Sequence, residues 1–530
     1  MKSIEIPYEK DRHGWYRFFE ILPALLSWSL LALPLVLSLL NVTLAAFFIL
    51  FYILIYFTRS IAVDIRALGG YKTMREHAKI DWNELIAEVE AGEVADPQAK
   101  RPKWHYDNLL RLSVQPPVVK PADLVHAVMI ATYNEAREVV EPTIQSIINS
   151  EYDVKKQVIF ILAYEQRGGE RVAKQSAELI EKYRKYFRDV ILVEHPNGIP
   201  GEVKGKGSNI TYAGYKLKEY VEAHGLNPMN VVVTTLDSDN RPDKKYLPAL
   251  SYLYCVSPDP LRASYQPLPM FTSNIWDAPA PSRVIATGNN FFYIVLTQRP
   301  HMERNFSAHA QCLQALIDMN FWSMRTIVED GHHFWRSYFH FDGDYRVYPL
   351  SIPVYCDAVL AETYIKTLKA QFIQLRRWTY GASDVAYLAR QGFFMKNGVR
   401  KIDLVGKFFR LLEGHVTWAS GALILAFAAF IPALINPESY AANELPLIVS
   451  RIQTIGLVGA LASLFIAMKT LPPRPARYKR HRSIFMLLQW AYMPITTIAY
   501  GSFAALYSQT RLMFGWYLTK FDVTEKAVKK

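Results

Sequence analysis

Residues 231–239 read VVVTTLDSD. Six β-branched or aliphatic-rich positions run without a charge and then stop on two carboxylates with one serine between them. A short apolar run bounded by polar residues is the pattern of a strand buried on both faces. In an open α/β sheet, ligands collect beyond the carboxyl ends of the strands. Asp237 and Asp239 therefore stand where chemistry is expected. Extended backbone would turn both carboxylates to one side, as hard oxygen ligands for magnesium or manganese, an ion that bridges a diphosphate. A solvated turn accounts for the same spacing when it is taken alone.

Working outward, residues 126–131 (HAVMIA), 157–163 (QVIFILA) and 190–193 repeat the apolar-run signal. Helical patterns follow the first two, over 139–148 and 171–184. Strands alternating with helices predict a parallel-rich, Rossmann-like α/β sheet covered on both sides, spanning residues 123–400. A charged helix over 81–90 sits in the preceding linker, 60–122. No internal repeat or low-complexity stretch interrupts the chain.

The flanks are of another kind. Of 530 residues 51% are hydrophobic, yet the mean hydropathy is only +0.02, so apolar blocks are diluted by a charged region. Residues 21–40 and 42–57 approach the length of a bilayer-spanning helix and carry no charge, with Asn41 at the turn between them. Further apolar blocks cover 415–435, 452–468 and 484–507. Arg474, Arg477, Lys479, Arg480 and Arg482 lie between the last two, and by the positive-inside rule that loop is cytosolic. Arg59, Arg66, Lys72 and Arg75 follow the first hairpin and put the 123–400 region on the same side. The organisation predicted is a cytosolic N-terminus (1–19), a transmembrane hairpin (20–59), the linker, the α/β domain, a helix (401–413) that reads as interfacial or as an ordinary core helix, C-terminal membrane helices (414–507) and a cytosolic tail (508–530). Pro494 would break the last block into a re-entrant or interfacial hairpin. The net charge of +12 suits nucleic acid, anionic lipid headgroups or sugar phosphates; its basic residues are scattered or sit beside the apolar blocks, which favours the membrane reading. Cys255, Cys312 and Cys356 have no metal-ligand spacing and read as small buried hydrophobes.

Other stretches carry possible chemistry. Residues 201–209 (GEVKGKGSN) offer glycines for close backbone approach to an anion, with Lys204 or Lys206 to neutralise phosphate; a flexible basic loop is the plainer account. Glu329 and Asp330, in TIVEDG, offer a carboxylate to accept a hydroxyl proton, or simply decorate a helix. His332 and His333 follow without the spacing of a zinc site. Arg377 at the end of Gln374-Leu-Arg-Arg-Trp378 suits a diphosphate, and Trp378 offers a flat face to a sugar.

Taken in order, Thr132-Tyr133-Asn134-Glu135, the Gly-Lys-Gly-x-Asn run, Asp237-x-Asp239, Glu329-Asp330 and Gln374-x-x-Arg377-Trp378 resemble the membrane-integrated branch of the family 2 glycosyltransferases, which contains cellulose, chitin and hyaluronan synthases. Phe521, Val523, Thr524 and Lys526 fit the gating-loop pattern of cellulose synthase. The resemblance covers roughly residues 123–385 and the tail. It implies a GT-A fold and inverting, single-displacement transfer from a nucleotide-diphosphate sugar, a UDP-sugar first, to a hydroxyl acceptor at the plasma (inner) membrane. Processive β-glycan synthesis is one form of that reaction; transfer of one sugar to a lipid is the other. A membrane scaffold or transporter with a degenerate domain stands as the alternative of a different class. By residue, the resemblance implies that Thr132, Tyr133 and Glu135 hold base and ribose, with Glu165 where the family carries aspartate and Lys206 on the nucleotide. It implies Asp237 and Asp239 on Mg2+ or Mn2+, Asp330 as general base with Glu329 beside it, Gln374, Arg377 and Trp378 on diphosphate and acceptor, and the tail closing over bound nucleotide.

Overall fold

The structure, a computed structural model, describes residues 4–519 apart from 97 and 99. Eight strands are β1 (Val125–Thr132), β2 (Val158–Glu165), β3 (Asp189–His195), β4 (Val231–Asp237), β5 (Arg241–Pro242), β6 (Ala263–Met270), β7 (Ala310–Cys312) and β8 (Arg346–Tyr355). They form one sheet in the order β3-β2-β1-β4-β7-β6-β8-β5. The first four are mutually parallel, β7 runs antiparallel to both β4 and β6, and β6 pairs parallel with β8. This largely parallel sheet with flanking helices is the α/β arrangement that the apolar runs predict, and it is GT-A-like, as the family resemblance implies.

Alternation along the strands explains why both faces are covered. Val128, Ile130, Phe160, Leu162, Val232 and Leu236 enter one core; Ala127, Met129, Ile159, Ile161, Val231 and Val233 enter the other. Each aliphatic side chain of this size stabilises the fold by about 1.5–3 kcal/mol when fully buried. Register then levels the carboxyl ends: Thr132 lies opposite Tyr164, Ala131 opposite Asp237 and Glu165 opposite His195. One rim of the sheet therefore gathers the residues that end four strands.

The charged linker helix forms as Trp82–Ala91, capped by the Asp81 side chain on the N–H groups of Asn83 and Glu84. Trp82, Leu85 and Val89 join the first core, so this helix packs onto the domain.

Among the described residues four helices are long and apolar enough to cross a membrane: Trp15–Leu40, Val42–His77, Lys401–Ile435 and Tyr440–Thr470. Ile49, Ile53, Ile424, Leu445 and Val449 pack between them. Leu39, Leu40, Phe47 and Phe51 stay exposed, as side chains facing lipid do. The expected interfacial helix is not a separate element. Residues 401–413 are the first turns of one helix, Lys401–Phe427, with Leu404, Phe408, Leu411 and Leu412 buried against the α/β core and Ile402 and Phe409 exposed.

The last apolar block is irregular. It divides into His481–Leu488, a 3-10 turn at Gln489–Tyr492, Met493–Thr496, a π-helical stretch at Thr497–Ser502, and Phe503–Met513. Pro494, which has no N–H to give, is the second residue of the turn Met493–Thr496 that follows the 3-10 turn. Beyond it, Tyr517 and Leu518 pack beside Ile327, Val328 and Tyr380 of the α/β domain. Ile4 and Ile6 are buried in the same domain, so both ends of the described chain lie on it.

Candidate functional site

β4 delivers Asp237 to the rim, and there the strand stops. The expectation of two carboxylates on one extended backbone is corrected: Ser238 and Asp239 form a turn. Asn240 closes it, its Oδ1 accepting the N–H of Asp237 at 2.8 Å while its Nδ2 donates to Cys356 Sγ. A local side-chain bond of this kind competes successfully with strand continuation. Asp239 is buried and accepts the N–H of Asp357 at 3.2 Å.

Lys206 meets Asp237. It begins the helix Lys206–Ala223 and lies almost wholly buried, Nζ 2.7 Å from Asp237 Oδ1 and donating to the Ser307 carbonyl at 2.8 Å. The second half of the glycine-rich run, from Lys206, is thus the start of a helix, and Gly201–Gly205 form the turn and loop that lead into it. Gly207 explains why glycine is needed: a Cβ there would lie 2.7 Å from the Ser323 carbonyl oxygen and 2.9 Å from Glu329 Cβ. This close approach seats the helix against the start of another, Glu329–His340.

Glu329 and Asp330 open that second helix. Glu329 is buried; Asp330 keeps some exposed surface. Both carboxyls are held above the ordinary carboxylate range. Burial is the largest cause for each; Asp330 adds to it for Glu329 and Asp237 for both, while Lys206 works the other way. Burial opposes the charge of Lys206 itself, yet Asp237, Glu329 and Asp330 hold its pKa above the usual lysine value. Arg377, from the helix Tyr364–Thr379, is near enough to pull Asp330 back down. Lys206, Asp237, Glu329, Asp330 and Arg377 therefore form one electrostatic unit. Trp378 sits beside Phe271, ring centroids 5.9 Å apart, and Gln374 accepts from Gln371 at 3.2 Å.

At the ends of β1 and β2 the contacts are tight. Glu135 Oε2 accepts from the Thr132 hydroxyl and the Tyr133 N–H, both at 2.8 Å. Arg167 donates to Glu165 Oε1 at 2.9 Å and lies 3.9 Å over the Tyr133 ring. Glu165 is thus engaged by a cation of its own loop. Sequence reading missed Arg167, and its place two residues after Glu165 was the one available signal. It also missed the pairing of Lys206 with Asp237, which has no local signature.

His332 and His333 are structural neighbours of other groups. His332 Nδ1 lies 2.7 Å from Asp384 Oδ1, and His333 Nε2 lies 2.6 Å from Gln311 Oε1. Among the described residues no three His, Cys, Asp or Glu side chains cluster as a metal cage. Phe521, Val523, Thr524 and Lys526 lie outside the described residues.

No family model and no curated protein matches the chain. Solved structures are similar in part. The mannosyltransferase PcManGT from Pyrobaculum calidifontis, in complex with GDP-Man and Mn2+, is 13% identical at a TM-score of 0.38, over 84% of this chain and 99% of that one. S. aureus TarS 1-349 in complex with UDP-GlcNAc is 9% identical at 0.33, over 66% and 93%. GalNAc-T7 with UDP, GalNAc and Mn2+ is 11% identical at 0.29, over 57% and 58%. Likenesses this distant carry no argument about chemistry, which rests on the side chains at the rim.

Proposed function

We propose that this chain is a membrane-bound glycosyltransferase that moves a sugar from a nucleotide-diphosphate sugar to a hydroxyl acceptor, with the α/β domain on the cytosolic side. One observation carries the reading: Lys206, Asp237, Glu329 and Asp330, from three separate stretches, meet at the carboxyl end of β4 with Arg377 beside them.

Magnesium and manganese take one or two carboxylates plus substrate phosphates more often than an all-protein cage. Among the described residues no cluster of three His, Cys, Asp or Glu forms a cage, and Asp237 and Asp239, on either side of Ser238, would be a donor set of the smaller type. They would hold the cation, and bound there it would supply positive charge against the departing diphosphate. Arg377 would pair with the same diphosphate. Lys206 would hold the carboxylates together and temper their repulsion. Asp330 would take the acceptor's hydroxyl proton as the acceptor oxygen bonds to the sugar's anomeric carbon and the bond to the diphosphate oxygen breaks. Attack opposite the leaving group inverts that carbon. Its raised pKa makes Asp330 a stronger base than an ordinary aspartate, which suits it to this work. Thr132, Tyr133, Glu135 and Glu165, on the neighbouring strand ends, would hold the nucleoside, and Gln374 and Trp378 the acceptor. The described part of the tail, Tyr517 and Leu518, packs beside Val328, one residue before Glu329.

The test is a panel of labelled nucleotide-sugars offered, with manganese or magnesium, to the full chain in lipid nanodiscs. Release of nucleoside diphosphate from one donor is expected, and no release from any donor would overturn the proposal. Product size then separates a high-mass, glycanase-sensitive glycan from a single glycolipid.

A further inference from the structure

Away from the rim, positive charge gathers where two apolar helices meet the α/β domain. The helix Val42–His77 carries no charged residue before Arg59, and the helix Lys401–Phe427 has no Lys, Arg, Asp or Glu after Glu413. Arg59 and Glu413 pair across the two helices. That pair marks the level at which both leave their apolar stretches. On the domain side of it stand Arg66, two helical turns on from Arg59 and so on the same face, and Arg410 and Lys407, which precede Glu413 on its own face.

The domain brings further cations to this place by a close fit. The helix Ala280–Leu296 ends against the helix Val42–His77. A Cβ on Gly70 would lie 2.3 Å from the Ile294 carbonyl oxygen, and one on Gly69 3.3 Å from Gln298 Oε1. Gln298 also donates to Thr73 Oγ1 at 3.4 Å. Gly69, Gly70 and Thr73 continue the face of Arg66, so Arg299 and His301 follow this contact into the neighbourhood of Arg66 and Arg410. The charges that act most on both are positive. Beyond burial, Arg66, Arg410 and Arg59 lower the pKa of Arg299, and Arg410, Arg299, Arg66 and Lys407 lower that of His301. The nearby carboxylates are already engaged: Glu413 by Arg59 and the Thr417 hydroxyl, Asp403 by Lys407 and the Tyr338 hydroxyl. Among the described residues, Arg66, Arg299 and Arg410 are left without a carboxylate of their own. Arg410 and His301 are exposed and Arg66 and Arg299 half-buried, so the cluster is open to a ligand. Membrane topology asks only that basic residues lie on one side. It does not ask three elements to press them together against their own repulsion; an anion held among them does.

Position decides the source of the anion. Ile61, Ile65 and Leu68 on one helix, and Ile402, Val405 and Phe409 on the other, are exposed and interleaved with these cations. Apolar surface therefore accompanies the charge on both helices. A free phosphate gains nothing from that surface, whereas a phosphate carried on acyl chains does. Basic pockets between helices at the membrane boundary hold lipid headgroups in this way.

We propose that Arg66, Arg299 and Arg410 bind the phosphate of an anionic membrane lipid where the helices Val42–His77 and Lys401–Phe427 meet the α/β domain. The site shares no residue with the rim cluster and holds the domain at the level of the headgroups.

Native mass spectrometry of the detergent-purified full chain, titrated with phosphatidylglycerol or phosphatidylcholine, tests it. The wild type is expected to retain phosphatidylglycerol in preference to phosphatidylcholine. Arg299→Gln and Arg410→Gln should each weaken that retention about fivefold. A control joining Lys479→Gln to Arg480→Gln, which removes charge from the other basic loop, should leave it unchanged. Thermal midpoints separate a ligand site from a structural one. Without lipid, Arg299→Gln and Arg410→Gln relieve repulsion and should keep or raise the midpoint, while losing part of the rise that phosphatidylglycerol gives the wild type. A lower midpoint without lipid in both variants would make these arginines structural and overturn the proposal. Wild-type retention by both variants, equal retention of the two lipids, or an equal loss in the control would overturn it too. Displacement of the lipid by inorganic phosphate at equal concentration would assign the cluster to a soluble anion and overturn the headgroup assignment.

Discussion

Two buried charge clusters in this chain are built on opposite principles. At the base of the first helix, the Glu20 carboxylate receives Arg17 and the Tyr517 hydroxyl at 2.8 Å, with Arg12 at 3.5 Å. Arg17 also donates to the carbonyls of Leu512 and Met513, each at 3.0 Å. One anion is answered by two cations, and the two ends of the chain are clamped together. At the sheet rim Asp237, Glu329 and Asp330 share Lys206 and Arg377, and the acids outnumber the cations. There the carboxyls of Glu329 and Asp330 are pushed up from their ordinary range. Burying charge is thus not itself a mark of function. Leaving it unbalanced at the mouth of a sheet is, because an unbalanced acid holds a proton it can exchange.

Substitutions break the comparison from both sides. Asp237→Asn should lower sugar transfer about a hundredfold or more, since it removes charge that a divalent cation needs; steady-state assays across manganese concentrations check it, and activity within twofold of wild type would detach Asp237 from the chemistry. Glu20→Gln should do the reverse. It leaves two cations facing a neutral side chain and should destabilise the fold by about 3 kcal/mol, read as a lower thermal midpoint in detergent, while the folded fraction still turns over donor.

Gly207→Ala links the two effects. The added methyl would press on Ser323 and Glu329, and overpacking of this kind costs about 1–3 kcal/mol. Stability and transfer should fall together; a silent substitution would mean that the two helices are not as closely seated as described.

The pH dependence sharpens the contrast further. Glu329 titrates higher in the folded chain than in the unfolded one. Its contribution to stability is fully present below the unfolded glutamate value and is lost as pH rises through the raised folded value. Thermal midpoints should therefore fall on going from acid to mildly alkaline pH, and Glu329→Gln should flatten that fall. Transfer runs the opposite way and should rise over the same interval as the acid pair loses its proton. A slope identical in wild type and variant would remove Glu329 as its source.

Much of this architecture was readable from residues alone, for reasons the structure makes plain. β3, at the sheet edge, buries only Val190, Val193 and His195, but β1, β2 and β4 are buried on both faces, so each of these is written around an apolar run. β6 is not: Ala263–Met270 contains Pro267 and Pro269, which read as a break, and the strand accommodates them with a register shift after Pro267. The motifs Asp237-x-Asp239 and Glu329-Asp330 were visible singly. That Lys206 would be the ion joining them depends on how three distant stretches pack, which no local pattern encodes. The turn at Asp239 was missed because the side chain of Asn240 overrode strand continuation.

The central claim is that Asp330 moves a proton and does not merely bind substrate. Parallel measurement of donor affinity and turnover in Asp330→Asn, with the full chain in nanodiscs, tests this most directly. The account predicts nucleotide-sugar affinity within a few-fold of wild type and turnover lower by about 10²–10⁴-fold, the range of general-base removal. Wild-type turnover in that variant would contradict it.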